Sequence, residues 1–347
     1  MDFATTVGNF VRHSGRNRLV RTAMPTRRAF AAGILPALIA APAVAQTWAP
    51  TRPIRLIGAY PAGGPTDAIA RIVAADLAER LGQTIVVENL SGASGAIGTR
   101  AAARAEPDGH AITFGNNQTH GNNMFMLKEP GYDVLKDFAP LAGVGAFEHA
   151  FVVRNELPAT TIQDVIRLAK EKPGTLNYGS TGIGSGSHLS TELFMARTGT
   201  KMTHVPYRGA PPLVQDIVGG RIDLSNSTLP SVLPLILAGK MRAVAIGSAK
   251  RNPKLPDVPT LTEQGVTGAD AASWTAFFAP AATPGTVLAR LSGEIMTSLR
   301  KADIVEKIDK LGLTVEARDP VAFKAYHARE IATWVKIAQD AGIKPED

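Results

Sequence analysis

The sequence is organised around Tyr60-Pro61-Ala62-Gly63-Gly64-Pro65-Thr66-Asp67-Ala68-Ile69-Ala70-Arg71, which follows the short apolar run 54–59. This order predicts a strand, a Pro/Gly turn and a helix, with Thr66 or Asp67 at the helix N-cap. Two glycines allow the backbone to approach a ligand closely, and the unpaired N–H groups of a first helical turn favour an anion. The stretch therefore indicates a carboxylate site, although an ordinary β-to-α connection has the same composition.

Two further Gly/Ser-rich loops lead from a predicted strand into a predicted helix. Residues 89–98 follow the strand predicted at 84–88, and residues 179–188 follow the strand predicted at 176–178. The glycine spacing of the first loop is GxxGxxG rather than the GxGxxG of dinucleotide-binding folds, so we expect no nicotinamide cofactor. The alternation of strands and helices predicts two α/β units with open parallel sheets and one ligand cleft between two lobes.

Length, charge and cysteine content exclude several functional classes. The chain has 347 residues, which is room for two domains of ~100 to 200 residues each. The net charge of +7 comes mostly from residues 1–45, because they contain six arginines and one acidic residue and leave 31 basic against 29 acidic residues beyond them. No basic cluster with interleaved aromatics remains, so we expect no nucleic-acid partner. The absence of cysteine excludes disulfides, thiolate metal sites and a lipid-modified N-terminal cysteine.

Residues 1–45 have the features of an export signal. Arg27-Arg28 precedes the apolar run 31–41, and Ala43-Val44-Ala45 provides small residues for a cleavage site. The apolar run is shorter than the roughly 20 residues of a membrane span. We therefore expect removal of residues 1–45 and a soluble periplasmic mature protein. The paired arginines resemble a twin-arginine signal, the general secretory route remains an alternative, and Met24 is an alternative start.

The run Ser185-Gly186-Ser187-His188 suggests one enzymatic alternative, an exported serine hydrolase. Neither serine lies in a G-x-S-x-G motif, and His188 adjoins Ser187 in sequence, where a base rarely has good geometry. The other histidines beyond the leader show no metal-ligand spacing; they are His110, His120, His149, His204 and His327. We therefore expect no enzymatic activity, no metal site and no cofactor.

The remaining segments fit the organisation into two units. Residues 202–211 join a strand to a helix, and Arg208 within them is equally compatible with pairing a carboxylate and with a plain surface position. Residues 225–228 are interpreted as an uncharged polar loop between two strands. The extended apolar run 274–280 is expected to cross back to the first lobe. Further helices are predicted near 286–302, 304–311 and 320–341.

From about Pro53 to Lys344 the chain resembles the substrate-binding receptors of tripartite tricarboxylate transporters, also called the Bug family. The order and spacing of the shared segments extend along nearly the whole predicted mature chain. These segments are YPAGGPTD at 60–67, VENLSGASG at 87–95, LNYGS at 176–180, HVPYRG at 204–209, AGKMRA at 238–243 and LPDVPT at 255–260.

The resemblance implies a two-lobed periplasmic binding protein fold, similar to type II, in which each lobe is a mixed, mostly parallel sheet flanked by helices. The first lobe is then expected to comprise residues 46–147 and about 275–347, and the second lobe residues 148–274. The implied function is to capture a small carboxylate-bearing metabolite and deliver it to a membrane permease of the tripartite tricarboxylate type. We expect a monomer. A receptor that presents its ligand to a signalling kinase is the alternative.

The loops and the resemblance together predict the ligand-binding residues. These are Tyr60, Ala62, Gly63, Gly64, Thr66, Asp67, Ser91, Ala93, Ser94, Gln118, Ser180, Thr181, Gly182, Ser185, Ser187, His188, Tyr207, Asn226 and Ser227. One departure from the family pattern concerns Ser227-Thr228, which stands where many relatives have Asp-Asn ahead of Leu-Pro. If this position reads the distal end of the ligand, the departure argues against a cationic amino acid.

Overall fold

The computed structural model describes residues 48–270, 272–340 and 342–344. The predicted export signal and its cleavage site lie outside the described residues. The strands are β1 (Ile54–Gly58), β2 (Ile85–Asn89), β3 (Ala111–Asn116), β4 (Phe138–Phe147), β5 (His149–Val153), β6 (Asn177–Ser180), β7 (Thr203–Pro206), β8 (Leu224–Thr228), β9 (Arg242–Ile246), β10 (Ser273–Pro280) and β11 (Leu313–Arg318). The α-helices are α1 (Pro65–Leu81), α2 (Ala96–Ala103), α3 (Asn123–Met126), α4 (Ile162–Glu171), α5 (Gly186–Thr198), α6 (Ala210–Val218), α7 (Leu229–Leu237), α8 (Gly285–Ser298), α9 (Ala302–Lys310) and α10 (Pro320–Asp340).

Six strands of the described chain form the first sheet, in the order β11-β4-β10-β3-β1-β2. Strand β1 pairs in parallel with β2 and β3, whereas β10 runs antiparallel to β3 and β4, and β11 antiparallel to β4. Ile54, Leu56 and Ile57 are fully buried because helices cover both faces of this parallel region. Helices α1, α8 and α9 pack on one face, and α2 and α10 pack on the other.

The second sheet has the order β7-β6-β8-β5-β9 among the described residues. Strand β6 pairs in parallel with β7 and β8, and β5 runs antiparallel to β8 and β9. Helices α4 and α5 pack on one face, and α6 and α7 pack on the other. Both sheets are therefore mixed, and the predicted two-lobed α/β fold is confirmed. Most of the antiparallel pairs involve β5 or β10, the strands that follow the crossings between the lobes, and the remaining one joins β11 to β4.

We call the six-stranded sheet with its helices the first lobe and the five-stranded sheet with its helices the second lobe. The chain passes from the first lobe to the second at Glu148 and returns between β9 and β10. Farther along, α10 packs on α5, and Trp334 and Leu189 are buried together in one apolar cluster. The lobes of the described chain are thus joined by two crossings and by the docking of α10. None of the described helices is both long and apolar enough to cross a membrane.

The interpretation of residues 225–228 as a loop is wrong, because they form most of strand β8. The side chains of Ser225, Asn226 and Ser227 are buried, and their hydroxyl groups and the Asn226 amide nitrogen have hydrogen-bond partners that offset the cost of burial. Ser225 donates its hydroxyl to the Gly179 oxygen at 2.8 Å, and Asn226 donates its side-chain amide to the Ser190 hydroxyl at 2.7 Å. Partners that lie far along the chain therefore override the low strand propensity of this segment.

Candidate functional site

A cavity of about 60 Å³ lies between the two lobes, where the loops after β1, β3, β6 and β7 meet. Its walls also include the crossing segments and the start of α7. The lining residues are Tyr60, Pro61, Gly64, Pro65, Thr66, Asn116, Asn117, Gln118, Phe147, His149, Thr181, Ser185, Gly186, Ser187, Gly209, Ala210, Pro211, Thr228, Ser231 and Ser273. We call this space the inner cavity.

The loop after β1 is held in place by Asp67. The Asp67 carboxylate accepts hydrogen bonds from the Gly63 backbone N–H at 2.9 Å, from Arg71 Nε at 3.0 Å and from Asn89 Nδ2 at 3.0 Å. Asn89 Nδ2 also donates to the backbone oxygen of Tyr60 at 3.0 Å. Burial raises the pKa of Asp67, but the bonds from Arg71, Gly63 and Asn89 outweigh it and lower the pKa below its usual value. Asp67 is therefore an ionised brace for the loop.

The N-cap of α1 is Gly64 and not Thr66 or Asp67, so that prediction is wrong by two or three residues. The reason is that Pro65 begins the helix, while the Asp67 side chain turns back to the Gly63 N–H. The backbone N–H groups of Thr66 and Asp67 lie in the first turn, where no carbonyl of the helix can accept from them. Gly64 and Thr66 consequently bring this helix start to the wall of the inner cavity.

The loop after β6 is shaped by its own hydroxyl groups. Ser185 is the N-cap of α5 and accepts from the His188 N–H at 3.2 Å, while Ser187 Oγ accepts from the Thr181 N–H at 3.0 Å. The backbone at Gly182 has a φ of 133°, which favours glycine. These bonds place Thr181, Ser185 and Ser187 along the inner cavity.

His188 and His204 form a buried pair behind this loop. Their rings stack with centroids 4.1 Å apart, His188 Nδ1 accepts from the Gly184 N–H at 3.1 Å, and His204 Nε2 lies 2.7 Å from Ser180 Oγ. Burial lowers the pKa of His188 to about 3 and that of His204 to about 4. Both rings are therefore neutral near pH 7, and His188 supports the loop backbone.

Two side-chain amides reach across the cleft from a π-helical turn at Gln118–Asn122. Gln118 Nε2 donates to the Ile183 oxygen at 2.6 Å, and Asn122 Nδ2 donates to the Gly184 oxygen at 2.8 Å. The Tyr60 hydroxyl donates to Gln118 Oε1 at 2.5 Å. Sequence analysis predicted Gln118 but missed Asn122. The run of amide side chains from Asn116 to Asn123 was the signal that could have found it.

The crossings between the lobes also meet at the inner cavity. His149 Nε2 lies 2.8 Å from Ser273 Oγ, and His149 Nδ1 lies 3.3 Å from the backbone oxygen of Asn226. Burial lowers the pKa of His149 to about 4, so the ring is neutral near pH 7. Sequence analysis did not include His149 or Ser273 in the site. Their positions at the two ends of the predicted second lobe were the available signal.

The structure brings together only part of the predicted ligand-binding set. The predicted residues on the inner cavity are Tyr60, Gly64, Thr66, Gln118, Thr181, Ser185 and Ser187. A second cavity between the lobes, which we call the outer cavity, is lined by Ser91, Ala93, Ser94, Gly182 and Tyr207 together with Tyr60 and Thr181. The predicted residues that line neither cavity are Ala62, Gly63, Asp67, Ser180, His188, Asn226 and Ser227.

The wall of the inner cavity has an unusual electrostatic character. The described residues that line it include no Asp, Glu, Lys or Arg. Four helices, α1, α5, α6 and α7, begin at this wall, and the N-terminal end of a helix carries a partial positive charge. Neutral donors and converging helix N-termini favour an anion over a cation. The described residues also contain no group of three or more His, Asp or Glu side chains that could hold a metal ion.

A sequence profile described as "Tripartite tricarboxylate transporter family receptor" matches residues 69–343. The chain belongs to this receptor family. Protein BugT of Bordetella pertussis is 34% identical to this receptor over 307 residues, which is 88% of this chain and 94% of BugT. The name BugT places the receptor among the Bug proteins, as the sequence analysis predicted.

Two solved structures resemble the receptor over their whole length. "R. palustris Rpa4515 with adipate" has a TM-score of 0.83 and 36% identity and covers 86% of this chain and 99% of that one. "Structure of periplasmic binding protein BugD" has a TM-score of 0.81 and 31% identity and covers 86% of this chain and 100% of that one. BugD is described as a periplasmic binding protein, and the receptor shares the fold of both structures.

Proposed function

We propose that this receptor captures a small organic acid in the inner cavity and binds its carboxylate between the loop after β1 and the loop after β6. The observation that carries the proposal is the convergence of four helix N-termini on a wall without charged side chains. Rpa4515, a structural relative, is described with adipate, which is an organic acid of this kind. No comparison supports the alternative of a sensor that presents its ligand to a kinase.

The loops after β1 and β6 offer a carboxylate several neutral hydrogen-bond donors. The free N–H groups at the start of α1 and α5 and the hydroxyls of Thr66, Thr181 and Ser187 are neutral donors that a carboxylate can accept from. A hydrogen bond to a charged group contributes roughly 1.5 to 3 kcal/mol. Micromolar affinity corresponds to about 8 kcal/mol, so roughly three to five such bonds match this figure before the costs of association and lobe closure are counted.

The wider role follows from the family. We propose that the mature chain is a periplasmic monomer that delivers its ligand to a tripartite tricarboxylate permease and does not convert it chemically. Residues 1–45 are proposed to be a cleaved export signal. Residues 46–147 with about 275–347 are proposed as the first lobe and residues 148–274 as the second, and the membership of the two sheets supports this division.

Isothermal titration with mono-, di- and tricarboxylates and aromatic acids tests the binding proposal. We expect at least one acid to bind and to raise the melting temperature. The bound acid should be recovered unchanged after long incubation, and product formation in proportion to protein would argue for an enzyme.

N-terminal sequencing of periplasmic protein tests the export proposal, which would be wrong if residues 1–45 were still present.

A further inference from the structure

The outer cavity, of about 230 Å³, lies on the other side of Tyr60 and Thr181, which line both cavities. Its walls contain exposed residues, among them Ser91 and Arg208. The walls of the inner cavity contain fully buried residues such as Ser187 and His149. A ligand that passes between Tyr60 and Thr181 therefore moves from a solvent-exposed space to a buried one.

Arg208 is the single charged side chain that the described residues contribute to the walls of these two cavities. It has no ion-pair or hydrogen-bond partner within the described part of the chain. The nearest acidic residue along the sequence is Asp216, and this carboxylate is taken by Arg221 and by the Tyr207 hydroxyl, which donates to it at 2.6 Å. The guanidinium of Arg208 is therefore free to pair with an external anion.

Another part of the outer cavity wall is a strained turn that includes Ser91 and Ser94. Ala93 and Ser94 have φ angles of 45° and 52°, which are left-handed values that cost a residue other than glycine roughly 1 to 2 kcal/mol. The backbone oxygen of Ser94 accepts from Asn123 Nδ2 at 3.0 Å, and this bond holds the turn in its conformation. Ser94 Oγ lies on the side of the turn that faces Gly182, across the cleft. The walls of the outer cavity thus contain both the free cation of Arg208 and the hydroxyl groups of Ser91 and Ser94.

We propose that the outer cavity is an encounter site at which a carboxylate pairs with Arg208 before it passes Tyr60 and Thr181 into the inner cavity. The proposal rests on the proposed function of the inner cavity. Because Arg208 is exposed, water and salt screen its attraction, and such a charge affects the rate of association more than the rate of dissociation. Arg208 is therefore expected to act on the encounter and not on the final bound state.

The test compares Arg208→Gln with Arg300→Gln, which removes the same charge from an exposed position at the end of α8. Arg208→Lys is a third variant that keeps the charge. Adipate, citrate and benzoate are first titrated into the unmodified protein. The kinetics of each acid that binds are then followed by stopped-flow tryptophan fluorescence at low and high ionic strength. Melting temperatures show whether the variants are folded.

We expect the association rate constant of Arg208→Gln to fall about threefold to tenfold at low ionic strength and to lose most of its salt dependence. The dissociation rate constant should stay unchanged, and Arg208→Lys and Arg300→Gln should behave like the unmodified protein. Faster dissociation with unchanged association, or no change in either rate, would overturn the encounter site while leaving the proposed function intact. Failure of every acid to bind the unmodified protein would overturn both proposals.

Discussion

Gln118 Nε2 in the first lobe donates a hydrogen bond of 2.6 Å to the backbone oxygen of Ile183 in the second lobe. The same side chain accepts from the Tyr60 hydroxyl through Oε1, so one residue joins the loop after β1 to the loop after β6. Both loops belong to the proposed carboxylate site. The positions of the two halves of the site therefore depend on each other through a side chain that also lines the inner cavity.

We predict that Gln118→Glu weakens binding at least about tenfold, mainly through faster dissociation. The substituted carboxylate cannot donate to the Ile183 oxygen in this partly buried contact, and an acceptor left without its partner costs roughly 1 to 3 kcal/mol when it is shielded from water. Gln163→Glu is the matched control, because Gln163 Nε2 also donates to a backbone oxygen, that of Gln264, at 2.6 Å. This bond lies within one lobe and at the surface. Equal affinities of the two variants in isothermal titration would show that the bond across the cleft does not support the bound state.

We predict that Gly64→Val abolishes measurable binding while the protein stays folded. Gly64 has an ordinary φ of −80°, and the atoms nearest to a Cβ there would be the Pro61 backbone oxygen at 3.8 Å and Pro211 Cδ at 3.9 Å. Both are ordinary van der Waals distances, so the backbone accepts a side chain that narrows the inner cavity. Gly182→Val should lower both affinity and stability, since its φ of 133° strains any other residue and the new Cβ would meet Gln118 Nε2 at 3.2 Å. Calorimetry and thermal melts separate the two effects, and full affinity in Gly64→Val would place the ligand elsewhere.

We predict that Asp67→Asn lowers both the affinity and the melting temperature. The change removes the ionised acceptor of Arg71 and weakens the bond from the Gly63 N–H, so the loop after β1 loses its brace. Hydrogen bonds to charged groups contribute roughly 1.5 to 3 kcal/mol each. The free energy of unfolding of Asp67→Asn should fall by a measurable fraction of this amount. Glu88→Gln is the control, because it neutralises an ion pair with Arg55 in the same lobe without touching the loop. The brace is not needed for binding if both variants bind equally well.

We predict that the protein loses stability as the pH falls from about 6.5 to 5. Burial lowers the pKa values of His149, His188 and His204 to about 4, 3 and 4, below the usual value near 6.5. The unfolded chain therefore binds more protons in this range, and the stability contributed by the neutral rings above pH 6.5 is lost on acidification. Each histidine can lower the free energy of unfolding by up to about 1.4 kcal/mol for each pH unit of acidification.

Thermal melts between pH 7.5 and 5 measure this dependence. His188→Asn removes one of the titrating rings while keeping an acceptor for the Gly184 N–H, so its melting temperature should fall less steeply with pH. The window lies above the range in which most carboxylates take up protons, which limits their contribution. A melting temperature that is constant across this window would contradict the assignment of buried neutral histidines.

Much of the fold was predictable because its signals are local. The apolar run at β1, the Pro/Gly turn and the helical spacing after it predicted a strand, a loop and a helix that all exist as β1 and α1. The polar strand β8 was missed because Ser225 and Asn226 find their partners at Gly179 and Ser190, and nothing near them in sequence announces those partners. Strand β4 was not predicted either, because it contains two glycines and a proline, which are depleted in ordinary strands.

The sequence by itself determined that two Gly-rich loops each lead into a helix start, because residues a few positions apart specify turns and caps. Only the tertiary structure decided which loop residues line the inner cavity. It placed the Asp67 carboxylate against the Gly63 N–H and the His188 ring against the Gly184 N–H, and neither residue lines the inner or the outer cavity. It also joined Gln118 to Ile183 across 65 residues. Such a contact exists only when two separately folded sheets pack against each other, and no local pattern encodes how they close.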